Sequence, residues 1–333
     1  MIGQILIALA AGCASAAMFA SITSGALVSL VLLYLSPLPL MVTAIGWGPS
    51  TAAIGGAVAA IALGAAFGIG DFIAYAIAVA LPACWLGHLC LLGRPGAAGQ
   101  TDGQEIHKET HKEPHQDTPA ALEWYPVGRI LLWVAGFAAL ATAAALLALG
   151  SDATAIAATL RSFLLRALAM NDVATSADTD RWIEAMVSFA PSAAAIVAML
   201  TLTLNLWLAA KVAATSGRLS RPWPDLKTAA LPPMTLVALC VVTAFCFSGG
   251  LVALLARIAT SALVMAYALT GFAVLHTLTM ALKSRPFWLG STYAFVVVFG
   301  WPMLAMAALG LADAVFGLRR RYLRSRPPPL PAP

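Results

Sequence analysis

Residues 1–93 contain no lysine or arginine, and their only ionisable side chains of the usual surface types are Asp71 and His88. A water-soluble domain of this length needs a charged and polar surface, which this stretch lacks. The hydrocarbon core of a bilayer is about 30 Å thick, and a helix of about 20 apolar residues crosses it. The N-terminal part of the chain is therefore predicted to form packed membrane-spanning helices.

The remainder has the same character, since the 333 residues are 61% hydrophobic and only 10% charged. In lipid every backbone polar group must be bonded within the chain, and the continuous apolar runs exclude the alternation of a barrel. The predicted fold is an all-α polytopic integral membrane helical bundle of about eight to ten transmembrane helices. The predicted spans are 2–20, 23–45, 50–69, 72–92, 127–149, 183–211, 230–249, 254–281 and 288–312.

Composition divides the chain into four parts. Residues 1–93 form a four-span bundle, and residues 94–123 form a polar linker with too little apolar content to fold alone. Residues 124–318 form a second bundle, with an amphipathic interfacial helix near 152–170. Residues 319–333 form a basic, proline-rich tail.

The linker carries three of the five histidines, His107, His111 and His115, spaced four apart as on one helix face. Pro114 interrupts such a helix, and nothing nearby completes a ligand set. The interpretation is a solvated linker, with no metal site and no cofactor anywhere in the chain.

The segment 36–49 interrupts an apolar run with Pro37, Pro39, Gly46 and Gly48. Irregular backbone at membrane depth is tolerated where protein or a water-filled cavity covers it. The segment therefore predicts a broken or re-entrant span that forms a cavity wall, and the alternative is an ordinary short loop.

The formal charge of +5 comes from basic residues in short loops and in the tail. There they set orientation and are not predicted to bind nucleic acid. The predicted location is a bacterial inner membrane, with the N-terminus and the basic tail in the cytoplasm. Five C-terminal spans would place the tail outside, unless the run 287–317, interrupted by Trp301-Pro302, forms two short helices.

Polar residues inside spans are functional candidates, because their burial in lipid is costly. Asp71, Asn205 and His276 are the predicted ligand contacts. Each residue also has a purely structural interpretation. For Asp71 it is a helix cap, and for Asn205 it is an interhelical hydrogen bond. For His276 it is a buried histidine whose hydrogen bonds are satisfied.

His88, Arg257 and Asp313 are supporting polar candidates. The alternatives are an interfacial belt position beside Trp85 for His88, snorkelling for Arg257, and local pairing with Arg319 for Asp313.

Motifs of hydrolases, metalloproteases and nucleotide-binding proteins are missing from the sequence. The chain is therefore predicted not to be an enzyme. An intramembrane enzyme remains the third interpretation of the chain.

Three stretches carry a family resemblance: SGALVSLVLLYLSPLPLMVTAIGWGP, GFAVLH and FGWPMLAMAALGLADAVFGLRRR. Together they resemble the YybS-like predicted bacterial membrane proteins. That family is similar, more distantly, to the substrate-binding S components of energy-coupling-factor transporters. The resemblance implies a vitamin or metal-ion cargo bound within a helical bundle, and a coupling module docked on an Ala-x-x-x-Ala face. Ala10/Ala14 and Ala16/Ala20 match that spacing.

The predicted function is the binding or transport of a small molecule in the manner of an S component. The predicted partners are the lipid bilayer, a small-molecule ligand, and a coupling module or another membrane protein. The alternative is a non-enzymatic scaffold or assembly factor that acts through its basic tail and linker.

Overall fold

The computed structural model describes residues 2–95, 122–169, 177–225 and 228–325. Apart from its ends, the predicted linker lies outside these ranges, as do His107, His111 and His115 and tail residues 326–333. The described helices are α1 (Ile2–Ala20), α2 (Leu27–Leu35), α3 (Pro37–Trp47), α4 (Pro49–Phe67), α5 (Ile69–Tyr75), α6 (Leu81–Leu91), α7 (Val127–Leu147), α8 (Ala153–Ala169), α9 (Ala177–Thr215), α10 (Met234–Phe245), α11 (Gly250–Leu278), α12 (Arg285–Phe299), α13 (Pro302–Phe316) and α14 (Leu318–Arg324).

The described helices are those of a multi-pass membrane protein, which confirms the predicted all-α bundle. Among the described residues, seven helical segments are long and apolar enough to span a bilayer, with α2–α3 and α5–α6 each forming one segment. Helices α13 and α14, bent by 65°, make an eighth if the pair counts as one span. Large apolar side chains such as Phe247 and Val297 are 88% and 83% exposed. Lipid is the solvent in which such a surface is stable.

The first four spans lie close to the predicted ranges, as α1, α2–α3, α4 and α5–α6. The predicted interruption at 36–49 resolves into two separate features. Ser36 joins α2 to α3 within one 21-residue span, and Gly48, with φ of 101°, separates α3 from α4. The second span is therefore one continuous segment, and its α3 half lies in the core, where Leu40 and Met41 are fully buried.

Helix α1 packs closely on α4 through glycine. A Cβ atom added at Gly12 would collide with the carbonyl of Gly55, and one added at Gly55 would collide with the carbonyl of Ala8. Such close approach of backbones is what drives helix association in lipid, where apolar burial adds little. Two further glycines of α4 lie against the fourth span, with Gly56 against Ala80 and Gly64 against Phe72.

The two predicted bundles share one hydrophobic core. Met41 of α3, Leu86 of α6, Val134 of α7, Met199 of α9 and Tyr267 of α11 belong to the same buried cluster. Helix α9 is 39 residues long, about 58 Å at the helical rise, so it extends beyond the hydrocarbon core. The predicted span 183–211 lies within it.

The ends of the linker form a small antiparallel ladder that the sequence did not predict. Strand β1 (Gly93–Pro95) pairs with β2 (Leu122–Trp124), and Arg94 lies opposite Glu123. Their side chains form an exposed ion pair with an N–O distance of 2.8 Å. We call the end of the bundle that carries this ladder the linker end.

The segment predicted as an amphipathic helix forms α8. Ile156 is buried against Leu146 and Ile258, and Arg161 on the exposed side pairs with Asp180 at 2.9 Å. Asp152 accepts hydrogen bonds from the Thr154 hydroxyl and from the backbone N–H groups of Ala155 and Thr154, which lowers the pKa of its carboxyl group. Ionised Asp152 therefore favours the start of α8 above its ordinary pKa, and this support is lost as the pH falls through the lowered value.

The run predicted as the last span is two helices, α12 and α13, separated at Gly300 and Trp301. Helix α14 follows α13 and returns to the linker end. There Arg319 Nη1 donates to the carbonyl of Ala229 at 2.8 Å, and the neighbouring carbonyl of Ala230 lies against Gly128 at the start of α7. The start of the basic tail and the linker thus lie at the same end of the bundle. The predicted boundary at 318/319 falls inside α14.

Replacing Gly12 by leucine is expected to destabilise the protein by about 1–3 kcal/mol, because the backbone contact with Gly55 leaves no space for a side chain. The matched control is Gly3→Leu on the same helix, where nothing lies within 4 Å of an added Cβ. Denaturant titration in mixed micelles measures both. Equal stability of the two variants would contradict the glycine contact.

Candidate ligand-binding site

Two prolines determine the backbone bonding at the junction of α2 and α3, which we call the kink. Pro37 and Pro39 lack amide N–H groups, so the helical ladder loses two donors there. Side chains from other helices bond the carbonyls beside them. Asn205 Nδ2 donates to the Tyr34 carbonyl at 2.8 Å, and Ser15 Oγ donates to the Ser36 carbonyl at 2.6 Å. These two bonds tie the backbone of the kink to α9 and to α1.

A chain of buried hydroxyl groups extends from the kink. Ser15 Oγ also lies 2.7 Å from the Tyr75 hydroxyl, and the ring of Tyr75 packs edge-on against Phe19 with centroids 5.3 Å apart. Ser15 and Tyr75 are fully buried. Polar groups from α1, the kink and α5 are therefore fixed in one place inside an apolar bundle.

A cavity of about 420 Å³, the kink cavity, lies against these groups. Volumes of this size are typical of small-molecule sites. Its walls come from α1, α2, the kink, the turn after α5, α7 and α9, and alanines at positions such as Ala141 and Ala198 leave the space open. Tyr34 and Val197 line the cavity and are also 41% and 38% exposed, so the cavity reaches the lipid-facing surface.

A single π-helical turn, Ala76–Ala80, connects α5 to α6 and supplies part of this wall through Ala78 and Val79. A π-turn inserts one residue into the helical period and is frequent at functional sites. The kink supplies another part of the wall through Ser36 and Pro37. Two irregular stretches of backbone therefore line the cavity.

Within the part of the chain that the structure describes, two buried polar atoms at the kink have no hydrogen-bond partner: Ser36 Oγ and Asn205 Oδ1. Ser36 is 1% exposed and lines the kink cavity. An unpaired buried polar atom costs about 1–3 kcal/mol, so each one requires an explanation. Because Ser36 lines the cavity, rotation of its side chain would turn the hydroxyl towards a ligand that supplies the missing hydrogen bond.

Among the predicted ligand contacts, Asn205 is the one at this site. It is fully buried, and its amide also donates to the Thr201 carbonyl at 2.8 Å. Thr201 lines the cavity one helical turn from Asn205. The interhelical hydrogen bond that was the alternative for Asn205 is therefore present, and it holds the cavity wall in place.

Asp71 and His276 lie elsewhere. Asp71 is in the first turn of α5, where a negative charge is favourable beside the helix N-terminus, and Gly68 occupies the N-cap position. His276 is in the last turn of α11, half-exposed, with Nε2 2.8 Å from the Tyr293 hydroxyl on α12. The structure does not bring these two residues to Asn205.

The supporting candidates also have separate surroundings. His88 is in the last turn of α6 with its ring 5.9 Å from that of Trp85, and Arg257 is exposed on α11. Asp313 is buried and pairs with Arg319, with Nη2 to Oδ2 at 2.7 Å. In the described part of the chain, no three His, Cys, Asp or Glu residues lie together in a way that could hold a metal ion.

Ser15, Ser36 and Tyr75 were not predicted as site residues. Ser36 could have been found, because it lies in the interrupted segment 36–49 directly before Pro37. Ser15 and Tyr75 carry no comparable signal, since hydroxyl side chains are common in membrane helices, where they bond their own backbone.

The fold and this cavity define a multi-pass helical membrane protein with a buried polar cluster. No protein-family model, curated protein or solved structure matches the chain.

Asn205→Ala is expected to destabilise the protein by about 1–2 kcal/mol, because the Tyr34 carbonyl then loses its interhelical donor. Thr203→Val is the matched control on the same helix, since the Thr203 hydroxyl bonds only the Met199 carbonyl one turn away. Its expected effect is below about 0.5 kcal/mol. Unfolding in mixed micelles measures both, and a neutral Asn205→Ala would contradict the role of the amide at the kink.

Proposed function

We propose that the protein binds, and in doing so carries or stores, a small membrane-soluble molecule in the kink cavity. The observation that supports this most directly is the unpaired Ser36 hydroxyl on the wall of a 420 Å³ cavity. The remaining walls are almost wholly apolar. The ligand class that fits has an apolar body and one group that can hydrogen-bond to a hydroxyl.

The opening toward lipid suggests how such a ligand enters. A molecule dissolved in the bilayer passes between Tyr34 and Val197, both on the outer surface, without crossing water. Charged cargo does not suit this route, because the lining offers it no counter-ion. The proposed cargo is therefore uncharged, in contrast to the metal ions bound by some S components.

The S-component resemblance also implies a coupling partner. The exposed face of α1 indicates where that partner docks. Ala10 and Ala14 are exposed on α1, whereas Ala16 is partly buried against the core. The first pair is therefore the better docking face for a coupling module or another membrane protein, and we propose it as such.

We further propose a bacterial cytoplasmic membrane with the linker end in the cytoplasm. Arg94, Arg129 and Arg218 lie at that end, where Arg218 stacks on Trp47 with the guanidinium carbon 4.3 Å from the ring centroid. A concentration of basic residues in short loops marks the cytoplasmic side.

The ligand proposal is tested by native mass spectrometry of protein purified from its host in mild detergent. The expected result is a stoichiometric small molecule on the natural protein. Ala198→Leu, which fills the cavity, is expected to reduce occupancy by about tenfold or more. Ala214→Leu, exposed near the end of the same helix, is the matched control and is expected to retain the ligand.

Ser36→Ala separates binding from stability. Removing an unpaired buried hydroxyl is expected to stabilise the ligand-free protein by about 1 kcal/mol and to weaken ligand binding. A thermal shift with and without the co-purified molecule measures both effects. Retention of a protein partner without any small molecule would count against the proposal and favour the scaffold alternative.

The orientation is tested with single cysteines in a background in which the five natural cysteines are replaced by alanine. Arg94→Cys at the linker end and Asp152→Cys, beyond the far end of α7, are both exposed. In intact cells with a permeable outer layer, a membrane-impermeant maleimide is expected to label position 152 alone. Labelling of position 94 before lysis would reverse the proposed orientation.

A further inference from the structure

A second cavity, of about 480 Å³, lies where α14 folds back on the segment between α9 and α10. One wall is charged and contains Asp313, Arg319 and Arg320. The facing wall is apolar and includes Leu231 and Pro232. A cavity with one charged and one apolar wall fits an amphiphile better than it fits a free ion or a hydrocarbon.

The charge of Arg319 is already balanced. Its Nε donates to Asp313 Oδ2 at 2.8 Å, and its backbone N–H donates to Asp313 Oδ1 at 2.8 Å. A third bond, from Nη1 to the Ala229 carbonyl, ties the guanidinium to the neighbouring segment. Arg319 is 5% exposed, so this ion pair is a buried part of the charged wall. The pair adds no net charge to the cavity.

Arg320 is the lining residue whose charge is not balanced. It is exposed, and in the described part of the chain no carboxylate forms an ion pair with it. Arg321 and Arg324, also exposed on α14, add positive charge nearby. Since Asp313 is matched by Arg319, the cavity presents a net positive charge through Arg320.

The position of the cavity in the membrane follows from the fold. Helix α13 ends and α14 turns away from it by 65°, at the same end of the bundle as the linker. A short helix that leaves a span at a steep angle and carries exposed arginines lies at headgroup level. The charged wall therefore meets lipid phosphates, and the apolar wall faces the adjoining acyl chains.

We propose that this cavity binds the headgroup of an anionic phospholipid. Arg320 pairs with the phosphate, and the wall of Leu231 and Pro232 receives the first carbons of the acyl chains. Basic pockets between transmembrane helices bind anionic headgroups through this combination. The site is separate from the kink cavity, so it does not depend on the function proposed above.

The test titrates the full-length protein in mild detergent with dioctanoyl phosphatidylglycerol and, separately, with dioctanoyl phosphatidylcholine. Native mass spectrometry reports the bound fraction. Phosphatidylglycerol is expected to bind the natural protein more tightly than phosphatidylcholine. Arg320→Gln is expected to weaken phosphatidylglycerol binding by about tenfold, the loss of one charge-assisted hydrogen bond.

Arg324→Gln is the matched control, since it removes the same charge from the same exposed helix outside the cavity. Its expected effect is below about fivefold. Equal losses in the two variants, or equal affinity for the two lipids, would overturn the proposal in favour of diffuse surface attraction. Displacement of phosphatidylglycerol by an equal concentration of inorganic phosphate would overturn it in favour of a free-anion site.

Discussion

Lipid offers the backbone no hydrogen bonds, so every N–H and C=O group must be bonded within the protein. The rest of this bundle depends on that constraint. At the kink, Pro37 and Pro39 withhold two donors, and Asn205 and Ser15 bond carbonyls beside them from other helices. These two bonds join the kink to α1 and α9, and the α3 half of the same span carries Leu40 and Met41 into the core. The kink also lines the kink cavity. Helix placement, core packing and the proposed ligand site therefore meet at the kink.

Close backbone contact provides the second level of organisation. Gly12 and Gly55 join α1 to α4, and Gly271 and Gly310 do the same for α11 and α13, where each lies against a carbonyl of the other helix. In lipid such contacts replace the burial of apolar area as the source of helix association. Glycines thus connect helices in both predicted halves, and the shared core connects the halves to each other.

The sequence predicted those features that depend on transfer from water to lipid, and it carries less information on those that depend on helix ends and contacts. Long apolar runs located the spans, since the hydrocarbon thickness sets their length. Asn205 was recognisable because an amide within an apolar run needs a partner. Asp71 and His276 were selected on the same ground, but the structure places them in the first and last turns of their helices. Hydropathy windows do not resolve where a helix ends.

Other features left no pattern to detect. The ladder of β1 and β2 is three residues long on each side, too short for an alternating period. Ser36 lies in the interrupted segment 36–49, which the sequence singled out. Whether its hydroxyl has a partner depends on how three helices pack together, and the sequence does not show that packing. The pairing of Arg319 with Asp313 was foreseen from their spacing, whereas the bond from Arg319 to Ala229 joins positions far apart in the chain.

The short helices α12 and α13 have a consequence for the membrane itself. Each has 15 residues, about 22 Å of helix, against a hydrocarbon core of about 30 Å. The junction between them is bonded internally, from Trp301 N–H to the Phe299 carbonyl and from Met303 N–H to the Gly300 carbonyl, so it tolerates lipid. Because neither helix alone is as long as the hydrocarbon core is thick, a bilayer meets this side of the protein with a length mismatch, which tilting, local thinning or a neighbouring helix accommodates.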